Sequence, residues 1–163
     1  MNTRKLTFSA MLIATGTILG NIIYIPVGAS KCFPVQHAIN VISAVLLGPW
    51  YALSNAFLIS LLRNILGTGS LLAFPGSMIG AFLAGVVFKR TGSKLFASIG
   101  EVFGTGILGG IAAYPVAKFV VGKDAAVLFY VVPFLISTIG GSIIGYVLVS
   151  IFEKNEMLKK LTA

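Results

Sequence analysis

Long apolar runs alternate with short polar or glycine- and proline-bearing breaks, and the breaks divide the chain into six predicted helices. The first run covers about residues 5–26 and stops at Pro26 and Gly28, residue types that interrupt helices. A loop reaches to about Pro34. A short helix over about 35–48 then stops at Gly48-Pro49, and a third over about 50–66 stops at Gly67-Thr68-Gly69. Pro75-Gly76 opens a fourth helix that ends near Lys89-Arg90. The fifth spans about 94–121, Gly122-Lys123-Asp124 makes a turn, and the sixth spans about 125–152, where Pro133 predicts a kink. Glu153 to Ala163 forms a charged tail.

A membrane-spanning helix needs roughly 20 mostly apolar residues, so 163 residues hold about six spans with short loops. Composition fixes the environment: 10% of residues are charged and 57% are hydrophobic, against about 25% charged in a soluble domain. The expectation is an all-α integral membrane protein, a compact bundle of about six transmembrane helices forming a single substrate-binding domain over residues 1–163. Arg4 and Lys5 before the apolar run Leu6 to Val27 resemble a signal peptide, but the run is longer than a usual cleaved one. Gly28-Ala29-Ser30-Lys31-Cys32 faintly resembles a lipoprotein cleavage site, which Lys31 spoils, so the run reads as a retained first helix.

The net charge of +8 points to membrane orientation and anionic headgroups rather than nucleic acid, because the basic residues sit mostly at helix ends. With the N-terminus inside, Arg4, Lys5, Lys89, Arg90, Lys94, Lys154, Lys159 and Lys160 are inner and Lys31, Arg63, Lys118 and Lys123 outer, which favours N-in and C-in. A lone Cys32 excludes an internal disulfide or thiolate zinc cluster, and His37 alone builds no histidine metal site. No Walker-type loop, HExxH motif, carboxylate pair or Ser-His-Asp set is present, so the chain reads as a non-enzyme with no cofactor of its own. Gly16/Gly20, Gly76/Gly80, Gly100/Gly104, Gly106/Gly110 and Gly141/Gly145 are each four apart, a spacing that lets helix backbones approach closely in lipid.

Polar residues in such a chain mark candidate chemistry. Lys31, Phe33, Gln36, His37 and Asn40 cluster at the start of the second helix, and the three- and four-residue spacings let Gln36, His37 and Asn40 share a face. Amide and imidazole groups both donate and accept, which suits a small neutral polar ligand; the alternative is that they satisfy backbone at a broken helix end. Arg63 and Asn64 precede the Gly67–Ser70 turn, with Thr68 in it; Arg63 either joins the site or snorkels to headgroups. Leu71-Leu72-Ala73-Phe74 is apolar enough to lie over a pocket as a lid, with Phe74 and Phe33 offering rings to a heteroaromatic ligand. Glu101, inside the fifth helix, needs a partner and reads as part of a cavity floor, since an intramembrane carboxylate costs roughly 2.5–3.5 kcal/mol. Tyr114 on the same helix, and Tyr130, Ser137 and Thr138 on the sixth, lie nearer the outer side or the centre, each readable as packing or as contact. Ala10 and Ala14 make a flat stripe on the first helix, suited to docking another helix.

The six short helices, the Ala10/Ala14 stripe, and the stretches Lys31–Asn40, Leu46–Ala52, Leu62–Asn64 and Phe74–Ser77 resemble the S components of energy-coupling-factor vitamin transporters, and within them the ThiW-type subfamily. Gly100-Glu101-Val102 and Pro133–Ile136 extend the similarity along nearly the whole chain. The resemblance implies a substrate-binding subunit in a prokaryotic cell membrane. It implies capture of the thiamin precursor hydroxyethylthiazole, a small heteroaromatic molecule, from outside. Delivery inward would occur by toppling, with a transmembrane T component and two cytoplasmic ATPases that use ATP. Ala10 and Ala14 would meet the T component, with Gly16 and Gly20 extending the small surface. Another vitamin on the same fold, a stand-alone small transporter or channel, and a membrane enzyme or an assembly subunit without a ligand are the competing readings. Nanomolar capture needs about −12 kcal/mol, close to the ceiling for a ligand of about nine heavy atoms, so near-complete enclosure is expected.

Overall fold

The glycines and prolines that break the apolar runs become helix ends. The computed structural model describes residues 3–27, 30–124 and 126–154. They contain six helices: α1 Thr3–Ile22, α2 Pro34–Leu47, α3 Pro49–Ile65, α4 Ala73–Thr91, α5 Lys94–Val120 and α6 Val131–Lys154. Gly48, at φ +92°, makes the sharp joint between α2 and α3, a conformation open to glycine at little cost. Pro34 and Pro49 occupy the first turns that flank this joint's two helices, where a missing N–H is not needed. α4 ends on left-handed Gly92, whose N–H donates to the Phe88 carbonyl at 2.8 Å.

Three features depart from the expectation. The stretch after α1 is not a plain loop: β1, Ile25–Val27, pairs antiparallel with β2, Ser30–Cys32, with Ile25 opposite Cys32. The last helix begins at Val131 rather than 125, so Pro133 falls in its first turn and carries no kink there. α5 is not uniform, because Val102–Gly109 and Val116–Val120 are wound as π-helix. Pro115, which lacks the N–H that a regular ladder would use, stands just before the second of these stretches.

Thr3–Ile22, Lys94–Val120 and Val131–Lys154 are long and apolar enough to cross a membrane; the other three helices are shorter or less apolar. α2, at 14 residues, is about 21 Å long by the 1.5 Å rise, under the roughly 30 Å of a hydrocarbon core. It sits at the centre instead, packed against all five other helices, with every residue but Val35 buried.

The glycine pairs serve close packing. A Cβ on Gly104 would stand 2.7 Å from the Gly80 Cα, and one on Gly109 would meet the Gly76 Cα, so α4 and α5 touch backbone to backbone. Gly141 and Gly145 of α6 lie against Pro34, Ala38 and Val41 of α2. Gly16 and Gly20 face inward, against Ile59 and Arg63 of α3, and so do not extend the Ala10/Ala14 surface; two residues of offset turn them about 200° around α1. Ser9 secures the same inner face, donating to Asn55 Oδ1 at 2.5 Å, while Asn55 Nδ2 donates to Ser43 Oγ at 3.0 Å.

The two ends of the bundle differ. One gathers Arg4, Lys5, Lys89, Arg90, Lys94 and Lys154, with Lys94 paired to Glu153. Lys159 and Lys160 lie outside the described residues. The other end, formed by the start of α2, α4 and α6 and the end of α1, α3 and α5, holds the polar cluster.

Candidate functional site

On α2 the spacing of Gln36, His37 and Asn40 does put all three on the inward face of one end, and each is buried. Gln36 is fully committed: its Oε1 accepts from Arg63 Nη1 at 2.6 Å, and its Nε2 donates to Ser60 Oγ at 2.8 Å and Ser77 Oγ at 3.0 Å. Asn40 Nδ2 donates to Ser77 Oγ at 2.9 Å and to Glu101 Oε1 at 3.0 Å. His37 Nδ1 lies 2.9 Å from the same Glu101 oxygen, and Thr105 Oγ1 donates to it at 2.9 Å. Glu101, fully buried, gathers three polar partners on Oε1, while its buried Oε2 has none among the described residues. With Nδ1 on Glu101, Nε2 is the ring nitrogen left for a ligand, and His37 lines the cavity above.

That cavity measures about 880 Å³, within the range of small-molecule sites. Its floor is Gln36, His37, Ser77 and Thr105. The β1–β2 hairpin covers it on one side. Phe33 N–H donates to Ser137 Oγ at 2.8 Å, and the Cys32 thiol, its pKa raised by burial and so held neutral, donates to the Pro133 carbonyl at 3.2 Å. The Phe33 ring lies over the Arg63 guanidinium at 3.9 Å. The α3–α4 connection covers the second side. The N–H groups of Thr68 and Gly69 both donate to the Arg63 carbonyl at 2.9 Å, and Thr68 Oγ1 donates to Asn21 Oδ1 at 2.5 Å. Phe129, Tyr130 and Phe134 line the third.

Of the residues expected at a site, Phe33, Gln36, His37, Arg63 and Thr68 line the cavity, and Asn40 and Glu101 stand directly behind its floor. Three do not line it. Asn64 turns back to the carbonyls of Ser60 and Ser70, at 2.8 and 3.2 Å, and shapes the connection instead. Phe74 packs on Phe57, with centroids 5.7 Å apart, so the rings facing the cavity come from elsewhere. Tyr114 accepts from Lys118 Nζ at 3.4 Å beyond the cavity wall. The expected lid over Leu71–Phe74 contributes Leu72 and Ala73, while Gly67–Ser70 covers more of the opening. Asn21, Ser77 and Thr105 enter the site without having been singled out. Thr105, four residues after Glu101 on the same helix, and Ser77, beside Gly76, carry the spacing that points to them.

The buried polar network thus lies beneath a cavity walled in part by aromatic rings. Neither a curated protein nor a solved structure matches the chain significantly. A family model described as thiamine-precursor transporter protein (ThiW) matches residues 6–155, from α1 through the end of α6. The chain belongs to the ThiW family of thiamine-precursor transporter proteins, a family of membrane transporters.

Proposed function

We propose that this chain is the substrate-binding subunit of an energy-coupling-factor importer and that it captures hydroxyethylthiazole in the cavity above Gln36 and His37. The observation that carries the reading is the cavity itself: polar floor, aromatic walls, and three chain segments closing over it at the end away from most of the basic residues. A thiazole alcohol has one ring, one acceptor nitrogen and one hydroxyl. Phe33, Tyr130 or Phe134 supplies a stacking face, and His37 Nε2, Ser77 and Thr105 supply the donors and acceptors. Ala10 and Ala14 lie exposed on α1, as a docking stripe for a T component requires. With that component and two ATPases, the subunit topples and carries the cavity to the cytoplasmic side, ATP being consumed by the partners.

Mass spectrometry of molecules released from the gently purified protein, followed by uptake assays in liposomes, tests this. The expected result is a copurified thiazole and uptake only when the T component and ATPases are present. Uptake by the chain alone would replace the reading with a stand-alone transporter. A different copurified vitamin would overturn the substrate and keep the subunit.

A further inference from the structure

Arg63 is 1% exposed and lines the cavity, yet no carboxylate among the described residues pairs with it. Of its five N–H groups, one goes from Nη1 to Gln36 Oε1 at 2.6 Å, one from Nε to Asn21 Oδ1 at 3.4 Å, and one from Nη2 to the Thr68 carbonyl at 3.4 Å. Among the described residues, one N–H on each terminal nitrogen has no protein acceptor. Every partner it has is neutral, and so is the Phe33 ring that covers one face. Among the described residues the ion pairs are His37 with Glu101 and Lys94 with Glu153; Asp124, which lines the same cavity, is not within ion-pair distance of Arg63. Glu101 is separated from Arg63 by the relay of Gln36, Ser77 and Asn40.

A buried cation normally has a counter-charge, because desolvation without one is unfavourable. The remaining cavity-lining charges add no compensation, since Lys31 and Lys123 are basic and stand against Asp124 alone. A guanidinium with one free N–H on each terminal nitrogen matches the two oxygens of a carboxylate or phosphate.

We propose that Arg63 anchors an oxyanion on the transported precursor, so that the cavity prefers a thiazole whose side arm ends in a phosphate or carboxylate over the free alcohol. This rests on the reading of the cavity as the precursor site and refines its ligand class. The ring then stacks against the aromatic wall, and the charged arm reaches across to the end of α3 between the hairpin and the α3–α4 connection.

The test is calorimetric titration of the full chain with hydroxyethylthiazole, its phosphate monoester and the analogue with a carboxylate arm. At least one anion should bind tenfold or more tightly than the alcohol. Arg63→Gln should erase that preference, leaving neither anion bound more tightly than the alcohol, and Arg63→Lys should retain part of it. The ranking on the unaltered protein decides even if Arg63→Gln does not fold. Alcohol binding as tight as both anions, or a preference that survives in a folded Arg63→Gln, overturns the proposal. If none of the three binds to folded protein, the precursor reading itself fails and this proposal with it; if the alcohol alone binds, only this proposal fails.

Discussion

α1 and α2 are both apolar helices of one bundle, yet they meet opposite surroundings. α2 is buried almost throughout, and at one end its Gln36 and His37 form part of the floor of the cavity, with Asn40 behind them. α1 is buried only along Ser9, Gly16, Thr17 and Gly20, and it exposes Leu6, Met11, Ile18 and Ile22. Its inner stripe is small and polar while its outer face is apolar, the reverse of a helix on a water-soluble domain. The difference teaches that in this chain polarity marks internal chemistry and exposed apolar surface marks lipid or a partner helix. Changes on α2 and its network should disturb stability and ligand binding together. Changes on the outer stripe of α1 should disturb only what docks there.

The strongest way to break this contrast is Glu101→Ala. It leaves His37, Asn40 and Thr105 without their common acceptor and should cost about 3–5 kcal/mol of stability, read as a lowered melting temperature in detergent together with lost ligand binding. Gly80→Ala comes next. Its Cβ would fall on Thr105 Oγ1 and 2.6 Å from Glu101 Oε2, so a loss of about 2–3 kcal/mol and weakened binding are expected from the same two measurements. Ser9→Ala removes the donor to Asn55 and should cost about 1 kcal/mol by thermal melting, with ligand affinity unchanged because the cavity is at the other end. The smallest effect sharpens the comparison most. Ala10→Leu with Ala14→Leu should leave stability within about 0.5 kcal/mol and ligand affinity at its starting value while abolishing uptake in cells; a loss of ligand binding would remove the distinction between the two helices.

Much of the fold was legible because Gly and Pro punctuate long apolar runs: Gly48, Gly67 and Gly122 all stand at joints. The hairpin was not, since three-residue strands carry no period to read. At the site, Gln36, His37, Arg63 and Glu101 stood out because an amide, imidazole, guanidinium or carboxylate inside an apolar chain needs a reason. Ser77 and Thr105 did not, since hydroxyl residues also serve ordinary helix packing. Phe74 was misplaced because an aromatic near a turn packs on α3 as readily as it covers a cavity. Tyr114 lies beyond the π-wound stretch Val102–Gly109, and a phase read from a 3.6-residue period drifts across such a stretch.

The central claim is that the cavity over α2 is where a thiamine precursor binds, and calorimetric titration with hydroxyethylthiazole, thiamin and an aminopyrimidine precursor, repeated on His37→Ala and Asn40→Ala, tests it most directly. The account predicts saturable one-to-one binding of the thiazole in preference to the other two, weakened at least tenfold in each variant. Thiazole binding of unchanged affinity in both folded variants, or no binding to the folded unaltered protein, would contradict it.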